Sequence, residues 1–181
     1  MEHTYTVALA GNPNVGKSTV FNRLTGLRQH TGNWPGKTVE RAEGYFSQVG
    51  QRFRLVDLPG TYSLAADSPE EEVAGAFLQS GQADAVIVVV DASCLRRGLI
   101  LALQLRQQTQ RLVLCVNLMD EAARRGITPQ TERLGQLLDV PVVATAARSG
   151  KGLAELRHQA AEVCRREPWE DGWKLTYAPP V

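Results

Sequence analysis

The chain has 181 residues and a net charge of +1, because its 20 Lys and Arg residues nearly balance 19 Asp and Glu residues. This length fits one domain with a sizeable core, and the near-neutral charge argues against a nucleic-acid-binding protein. The three cysteines show no CxxC spacing, which argues against a disulfide framework or a zinc site. The N-terminus lacks the features of a signal peptide and the longest apolar stretch, residues 83–92, is too short to cross a bilayer, so we expect the chain itself to be soluble.

Short runs of β-branched residues alternate with helical patterns along the chain. The predicted strands are Tyr5–Ala10, Arg41–Val49, Arg52–Val56, Ala85–Val90, Leu112–Val116 and Val140–Ala144, with a turn at Gly50 joining the second to the third. The predicted helices are Ser18–Leu27, Pro69–Gln79, Arg96–Gln107, Gln130–Leu138 and Leu153–Arg165. The runs VIVVV and LVLCV are continuously apolar, which is typical of parallel strands covered on both faces. The pattern predicts a three-layer α/β fold, with a mostly parallel sheet of six or seven strands and helices on both faces.

A phosphate-binding loop follows the first predicted strand. Residues 11–18, GNPNVGKS, match GxxxxGK[ST] between a strand and a helix, which is the context that the motif requires. The glycines let backbone N–H groups point at phosphate oxygens, Lys17 reaches the β- and γ-phosphates, and Ser18 offers a hydroxyl to Mg²⁺. The residues predicted to line the phosphates are Gly11, Asn12, Pro13, Asn14, Val15, Gly16, Lys17, Ser18 and Thr19.

Two further segments are predicted to sense the γ-phosphate. Asp57 begins the sequence DLPG at the end of a strand, so its carboxylate can hold Mg²⁺ through water while the N–H of Gly60 reaches the γ-phosphate. Leu58 and Pro59 complete this motif. Thr38 lies in a loop rich in Gly and Pro, where its hydroxyl can reach Mg²⁺; the alternative is a simple loop threonine. Its neighbours Gly36 and Lys37 are predicted to contact nucleotide as well.

The sequence after the strand LVLCV predicts a guanine site. It reads Asn117-Leu118-Met119-Asp120, and the Asp120 carboxylate can accept hydrogen bonds from guanine N1–H and the 2-amino group, which adenine lacks. Asn117 is expected to tie this loop to the phosphate-binding loop; a pair of helix-capping residues is the alternative. Leu118 replaces the lysine of the usual NKxD motif, so weaker affinity and fast exchange are expected. After the last strand, Ala146, Ala147 and Arg148 are predicted to meet the base, with the backbone N–H of Ala147 donating to guanine O6.

Finer features resemble one family. The five elements in this order are typical of P-loop GTPases of the translation-factor-related class, and GNWPGKTVE at 32–40, DLPGTYSL at 57–64 and VVDAS at 89–93 resemble the FeoB family of ferrous iron transport proteins. The likeness covers about residues 5–165. It implies a GTPase that binds GTP or GDP with Mg²⁺, formed by residues 1–167 at the cytoplasmic face of a bacterial inner membrane. Residues 168–181 then resemble a linker to helical and membrane domains. Small cytosolic accessory proteins and copies of the chain are further partners that the resemblance implies; no nucleic acid is expected.

The resemblance also implies a potassium site. Many GTPases place glutamine directly after DxxG, whereas this chain has Thr61, so another group must stabilise the developing charge. Asn14 occupies the GxxNxGK[ST] position of potassium-activated GTPases, and the resemblance implies that its oxygen and the carbonyls of Gly32 and Trp34 hold K⁺. Hydrolysis would then depend on Asn14, Lys17, Thr38 and Gly60. An asparagine that only braces the loop is the alternative.

Three functions remain open from the sequence. The first is a slow, potassium-stimulated GTPase that regulates ferrous iron transport. The second is a nucleotide-gated binding module whose hydrolysis is incidental. The third is an RNA- or ribosome-associated GTPase, which shares GxPNVGKS but does not account for GNWPGKTVE. Trp34 likewise has two interpretations, an exposed aromatic that contacts a partner or a side chain packed on the core.

Overall fold

The computed structural model describes residues 2–167. Within them the strands are β1 (Tyr5–Gly11), β2 (Gln29–Asn33), β3 (Glu40–Gln48), β4 (Gln51–Asp57), β5 (Ala85–Asp91), β6 (Leu112–Asn117) and β7 (Val142–Ala144). The α-helices are α1 (Lys17–Thr25), α2 (Pro69–Gln79), α3 (Leu95–Arg106), α4 (Met119–Arg124), α5 (Thr131–Leu138) and α6 (Leu153–Cys164), and a 3₁₀ turn covers Ala147–Ser149. Residues 168–181, predicted as a linker, lie outside the described residues.

The strands form one sheet in the order β2-β3-β4-β1-β5-β6-β7. The five strands from β4 to β7 in this order run parallel, while β2 and β3 are antiparallel to their neighbours. One hydrophobic cluster packs α1 and α6 on one face, and a second packs α2, α3 and α5 on the other. This confirms the predicted three-layer α/β fold with a mostly parallel sheet, at the upper of the two predicted strand numbers.

Several predicted bounds were wrong. Helix α1 ends at Thr25 rather than Leu27, because Gly26 and Leu27 both adopt positive φ angles, of 64° and 65°. The last strand begins at Val142 rather than Val140, and the first one extends to Gly11. Strand β2 and helix α4 were not predicted. All five residues of β2 are exposed, so they carry no apolar alternation, and α4 has only six residues.

The topology gathers the motifs at one edge of the sheet. Parallel strands end on the same side, so the segments that follow β1, β4, β5, β6 and β7 lie together there. These segments carry GNPNVGKS, DLPG, DAS, NLMD and TAAR. The edge at the carboxyl ends of the parallel strands is therefore the candidate functional site.

Candidate nucleotide-binding site

The phosphate-binding loop is held by close backbone packing. A Cβ on Gly11 would lie 2.8 Å from the carbonyl oxygen of Val89 on β5, and a Cβ on Gly16 would collide with the side-chain nitrogen of Asn117. Gly16 also has a φ of 81°, which strains any other residue. Asn14 adopts a φ of 65° and is exposed on this loop. The two glycines of the motif are thus fixed by neighbouring strands as well as by the chain's own turn.

Lys17 and Asp57 meet across the site. The ammonium of Lys17, on the first turn of α1, forms an ion pair with the Asp57 carboxylate and donates a 2.7 Å hydrogen bond to the carbonyl oxygen of Leu58. Burial raises the pKa of Asp57 above its ordinary value, and the nearby Lys17 partly offsets this rise. The phosphate-directed lysine and the carboxylate predicted for Mg²⁺ are therefore in direct contact.

The DLPG segment packs directly on the phosphate-binding loop. The N–H of Leu58 donates to the carbonyl oxygen of Leu9 at 2.9 Å, and the N–H of Thr61 donates to that of Gly11 at 3.0 Å. A Cβ on Gly60 would lie 3.3 Å from the backbone of Pro13. Thr61 is buried, with 4% of its surface exposed. Its short, buried side chain agrees with the view that it does not replace the glutamine of other GTPases.

Asn117 joins three loops of the site. Its side-chain nitrogen donates to the carbonyl oxygen of Val15 at 3.0 Å, which is the tie expected from the sequence. Its side-chain oxygen accepts from the Thr145 hydroxyl at 2.9 Å and from the Ala147 N–H at 3.1 Å. Only 1% of its surface is exposed. Asn117 is therefore a buried junction between the phosphate-binding loop and the two loops predicted to hold guanine.

The base-binding loops differ in one respect from the prediction. Asp120 is exposed in the first turn of α4, where its carboxylate is accessible to a ligand. The Ala147 N–H, however, donates to Asn117 rather than being free for guanine O6. Leu118 adopts a φ of 62° before α4, and the N–H of Met119 donates to the carbonyl oxygen of Thr145. These two hydrogen bonds join the loop after β6 to the loop after β7, which also contains Ala146 and Arg148.

The loop that contains Thr38 forms a hairpin. Gly32 lies in β2 opposite Arg41, the Trp34 N–H donates to the Val39 carbonyl, and the Trp34 carbonyl accepts from the Lys37 N–H. Pro35 and Gly36, with a φ of 70° at Gly36, form the turn between Trp34 and Lys37. Thr38 follows this turn and is exposed.

Trp34 packs on the core rather than facing solvent. Its exposed fraction is 7%, and its ring lies edge-on to Phe77 of α2 at a centroid distance of 5.4 Å. The Arg41 guanidinium covers the ring at 4.5 Å from its centroid. Lys37 also forms an ion pair of 3.5 Å with Glu72. The hairpin is therefore docked on α2 through an aromatic contact and an exposed ion pair.

The donor atoms of the site fit Mg²⁺ well and K⁺ less well. The Ser18 hydroxyl and the Asp57 carboxylate are hard oxygen donors on adjacent segments, as Mg²⁺ prefers. The predicted potassium ligands are less favourably arranged, because the Trp34 carbonyl accepts a hydrogen bond and Gly32 belongs to the β2–β3 ladder.

Three residues that support the candidate site were not predicted from the sequence. Thr145 bonds Asn117, Phe77 receives Trp34, and the Arg23 guanidinium donates to the carbonyl oxygen of Arg148 in the base loop. Only Thr145 carries a sequence signal, since it directly precedes the predicted base loop.

In the part of the chain from 2 to 167, none of the helices has the length and apolarity to cross a bilayer. No three His, Cys, Asp or Glu side chains of these residues converge on a metal position.

The chain is similar to known proteins over most of its length. A family model of ferrous iron transport protein B matches residues 5–160. The Fe(2+) transporter FeoB of Escherichia coli (strain K12) is 44% identical over 156 residues, covering 84% of this chain but 20% of that protein. The crystal structure of the G domain of the T. maritima FeoB iron transporter has a TM-score of 0.85 at 41% identity, covering 90% of this chain and 100% of that one. The cytosolic domain of the T. maritima transporter in its GMPPNP form has a TM-score of 0.84 at 40% identity, covering 91% of this chain and 65% of that one. The chain thus spans about a fifth of the length of the curated relatives it matches.

Proposed function

Because the chain belongs to the family of ferrous iron transport protein B, we propose that it is a GTP-binding and slowly GTP-hydrolysing domain that regulates a bacterial ferrous iron transporter. Residues 1–167 form this G domain, and the segment 168–181 leads to helical and membrane domains. The domain works at the cytoplasmic face of the inner membrane, where small accessory proteins and other copies of the chain are further partners. The GMPPNP form of the T. maritima relative supports nucleotide binding.

The observation that carries this proposal is the contact of Lys17 with Asp57. It brings the phosphate-directed lysine and the carboxylate predicted for Mg²⁺ into contact, and Ser18 directly follows Lys17 in the chain. When bound, Mg²⁺ neutralises charge on the β- and γ-phosphates. Lys17 then exchanges Asp57 for the phosphates, while the N–H groups of Gly60 and Thr38 report whether the γ-phosphate is present. Asp120 supplies the preference for guanine.

Hydrolysis is proposed to be slow and stimulated by potassium. Thr61 is buried and bonded through its backbone to Gly11, so it does not orient a water molecule. Asn14 is exposed on the phosphate-binding loop, where its side-chain oxygen can hold a cation beside the phosphates. The carbonyls of Gly32 and Trp34 in the hairpin would complete the potassium site.

The test is GTP turnover by the chain in potassium against sodium at equal ionic strength, with ATP as the nucleotide control. We expect GTP-selective turnover below about 1 s⁻¹ that rises several-fold in potassium. The variant Asn14→Ala should lose the potassium effect but keep GTP binding.

A nucleotide-gated module with incidental hydrolysis is the second candidate, favoured by the buried Thr61. Tight GTP binding with equal turnover in both salts would support that candidate instead.

Base selection gives a second, independent test. Guanine offers two hydrogen-bond donors to Asp120, whereas xanthine offers one donor and one acceptor, which an amide matches. Asp120→Asn should therefore lower GTP affinity at least tenfold and raise XTP affinity. The neighbouring, partly exposed Glu121→Gln removes the same charge and should leave both affinities within twofold. Unchanged preference in Asp120→Asn would reject the proposed base site.

A further inference from the structure

A cavity of about 770 Å³ lies between the end of α1, the start of β2, β3 and α6. Arg23, Arg28, Arg52 and Arg157 line it, together with His30 and Tyr45. No Asp or Glu of residues 2–167 contributes to its lining. Since these residues do not belong to the nucleotide motifs, the proposed GTPase function leaves the cavity unexplained.

The four arginines carry uncompensated positive charge. None of them forms an ion pair with a carboxylate of the described residues. Their partners are neutral: Arg157 donates to the carbonyl oxygen of Arg23 at 3.0 Å, and the Arg52 guanidinium lies 3.9 Å from the centroid of the Tyr45 ring. Four like charges around one cavity repel each other, and a bound anion would relieve that repulsion.

The lining favours a small phosphorylated molecule. Guanidinium groups present paired N–H donors that match the oxygens of a phosphate, and several of them suit a ligand with several phosphates. The volume falls in the usual range for small-molecule sites, roughly 300–1,000 Å³. The stacked Arg52 and Tyr45 add a flat surface for a ring. The backbone of Arg28 packs closely on β3, since a Cβ on Gly44 would lie 2.7 Å from its carbonyl oxygen.

Arg23 connects the cavity to the nucleotide site. Its side chain lines the cavity and also donates to the carbonyl oxygen of Arg148, next to Ala147 in the base loop. An anion in the cavity competes with that carbonyl for the Arg23 guanidinium. Losing this bond loosens the base loop. We propose that the cavity is an effector site for a small polyphosphorylated ligand, which speeds nucleotide release through Arg23.

The experiment uses the full chain saturated with GDP and Mg²⁺, so that the phosphate-binding loop is filled. Inorganic tripolyphosphate is the probe, and its binding is measured by calorimetry at 0.15 M salt. Arg28→Ala with Arg52→Ala should weaken binding at least tenfold. The matched control, Arg133→Ala with Arg165→Ala, loses the same charge from exposed positions outside the cavity and should stay within twofold. Equal weakening in both pairs, or no binding to the unaltered chain, would overturn the site.

The coupling is measured as the release rate of fluorescent GDP chased by excess GDP, since a chase is insensitive to competition at the nucleotide site. Tripolyphosphate should raise this rate at least twofold in the unaltered chain and leave it unchanged in the Arg28→Ala, Arg52→Ala variant. An octaglutamate peptide tests the other anion class. If the peptide binds and tripolyphosphate does not, the phosphate assignment is wrong. GTP turnover of both variants is recorded separately, so failure of the effector site leaves the proposed GTPase function standing.

Discussion

At the scale of single residues, Asn117 explains much of the order in the site. Its amide donates one hydrogen bond to the phosphate-binding loop and accepts two from the loop after β7, while 1% of its surface is exposed. A buried amide with all these bonds satisfied holds its partners at fixed spacing, because breaking any of them leaves a polar group unpaired in the interior.

We predict that Asn117→Ala lowers the free energy of unfolding by about 3 kcal/mol, because the Val15 carbonyl and the Ala147 N–H lose their partner. Thr145→Val removes one of the three bonds and should cost about 1 kcal/mol. Urea unfolding of both variants without nucleotide checks this order. A loss in Asn117→Ala no larger than that in Thr145→Val would contradict the junction role.

Most candidate site residues could be proposed from the sequence because their motifs are local. The glycines and Lys17 of the phosphate-binding loop and Asp57 of DLPG lie within short patterns beside strong strands. The contact of Ala147 with guanine stays a prediction, because a backbone N–H can serve either a ligand or a buried side chain. Which of them it serves depends on Asn117, 30 residues away, and no local pattern encodes that distance.

At the scale of elements, the hairpin of β2 and β3 is held on α2 by unequal contacts. The Trp34 and Phe77 rings are packed edge to face, and Trp34 is largely buried. Lys37 and Glu72 remain 40% and 60% exposed, so solvent screens their charges. The aromatic pair should therefore contribute most of the docking energy.

We predict a coupling energy of about 1 kcal/mol between Trp34 and Phe77 in a double-mutant cycle with Trp34→Ala and Phe77→Ala. The same cycle on Lys37→Ala and Glu72→Ala is the control and should give less than about 0.5 kcal/mol. Both are measured by urea unfolding. A larger coupling for the ion pair would show that the hairpin is held by charge instead.

The elements that escaped prediction share a physical cause. Strand β2 ends the sheet with both faces open, so neither alternation nor a continuous apolar run marks its sequence QHTGN. Its pairing with β3 is fixed by the ladder and by the turn at Pro35 and Gly36. Buried β5 and β6, in contrast, were predicted within one residue at their ends, because they are apolar up to their last residues, Asp91 and Asn117.

At the scale of the whole molecule, the protonation of Asp57 in the candidate site affects the free energy of unfolding. Burial raises the pKa of Asp57, so the folded chain binds this proton more tightly than the unfolded chain does. A raised pKa means that the stabilising contribution is complete below the ordinary value of 3.8 and is lost as pH rises through the folded value. The Asp57 carboxylate, predicted to serve Mg²⁺, thus makes the fold less stable at neutral pH than when it is protonated.

We predict that the stability of the unaltered chain, relative to Asp57→Asn, falls as pH rises above about 4 and then levels off. Urea unfolding from pH 4 to 8 without nucleotide or Mg²⁺ measures this difference. Asp67→Asn, which removes an exposed carboxylate outside the site, is the control. A difference that stays constant, or that favours the unaltered chain at high pH, would contradict the assignment.

The hydrogen bonds of Asn117 also bear on which surface of the chain a partner could use to distinguish the nucleotide states. The segments predicted to hold guanine are bonded to the phosphate-binding loop through Asn117, so we expect the outer surface at that end to change little if the γ-phosphate is lost. The hairpin and α2, at the opposite end of the sheet, touch through side chains that can separate without breaking the ladder of parallel strands. We therefore expect a partner bound beside β7 to contact nearly the same surface in both nucleotide states. A partner bound against β2 and α2 would contact the surface that differs between the two states. We therefore expect partners that depend on the nucleotide state to bind at the antiparallel end of the sheet.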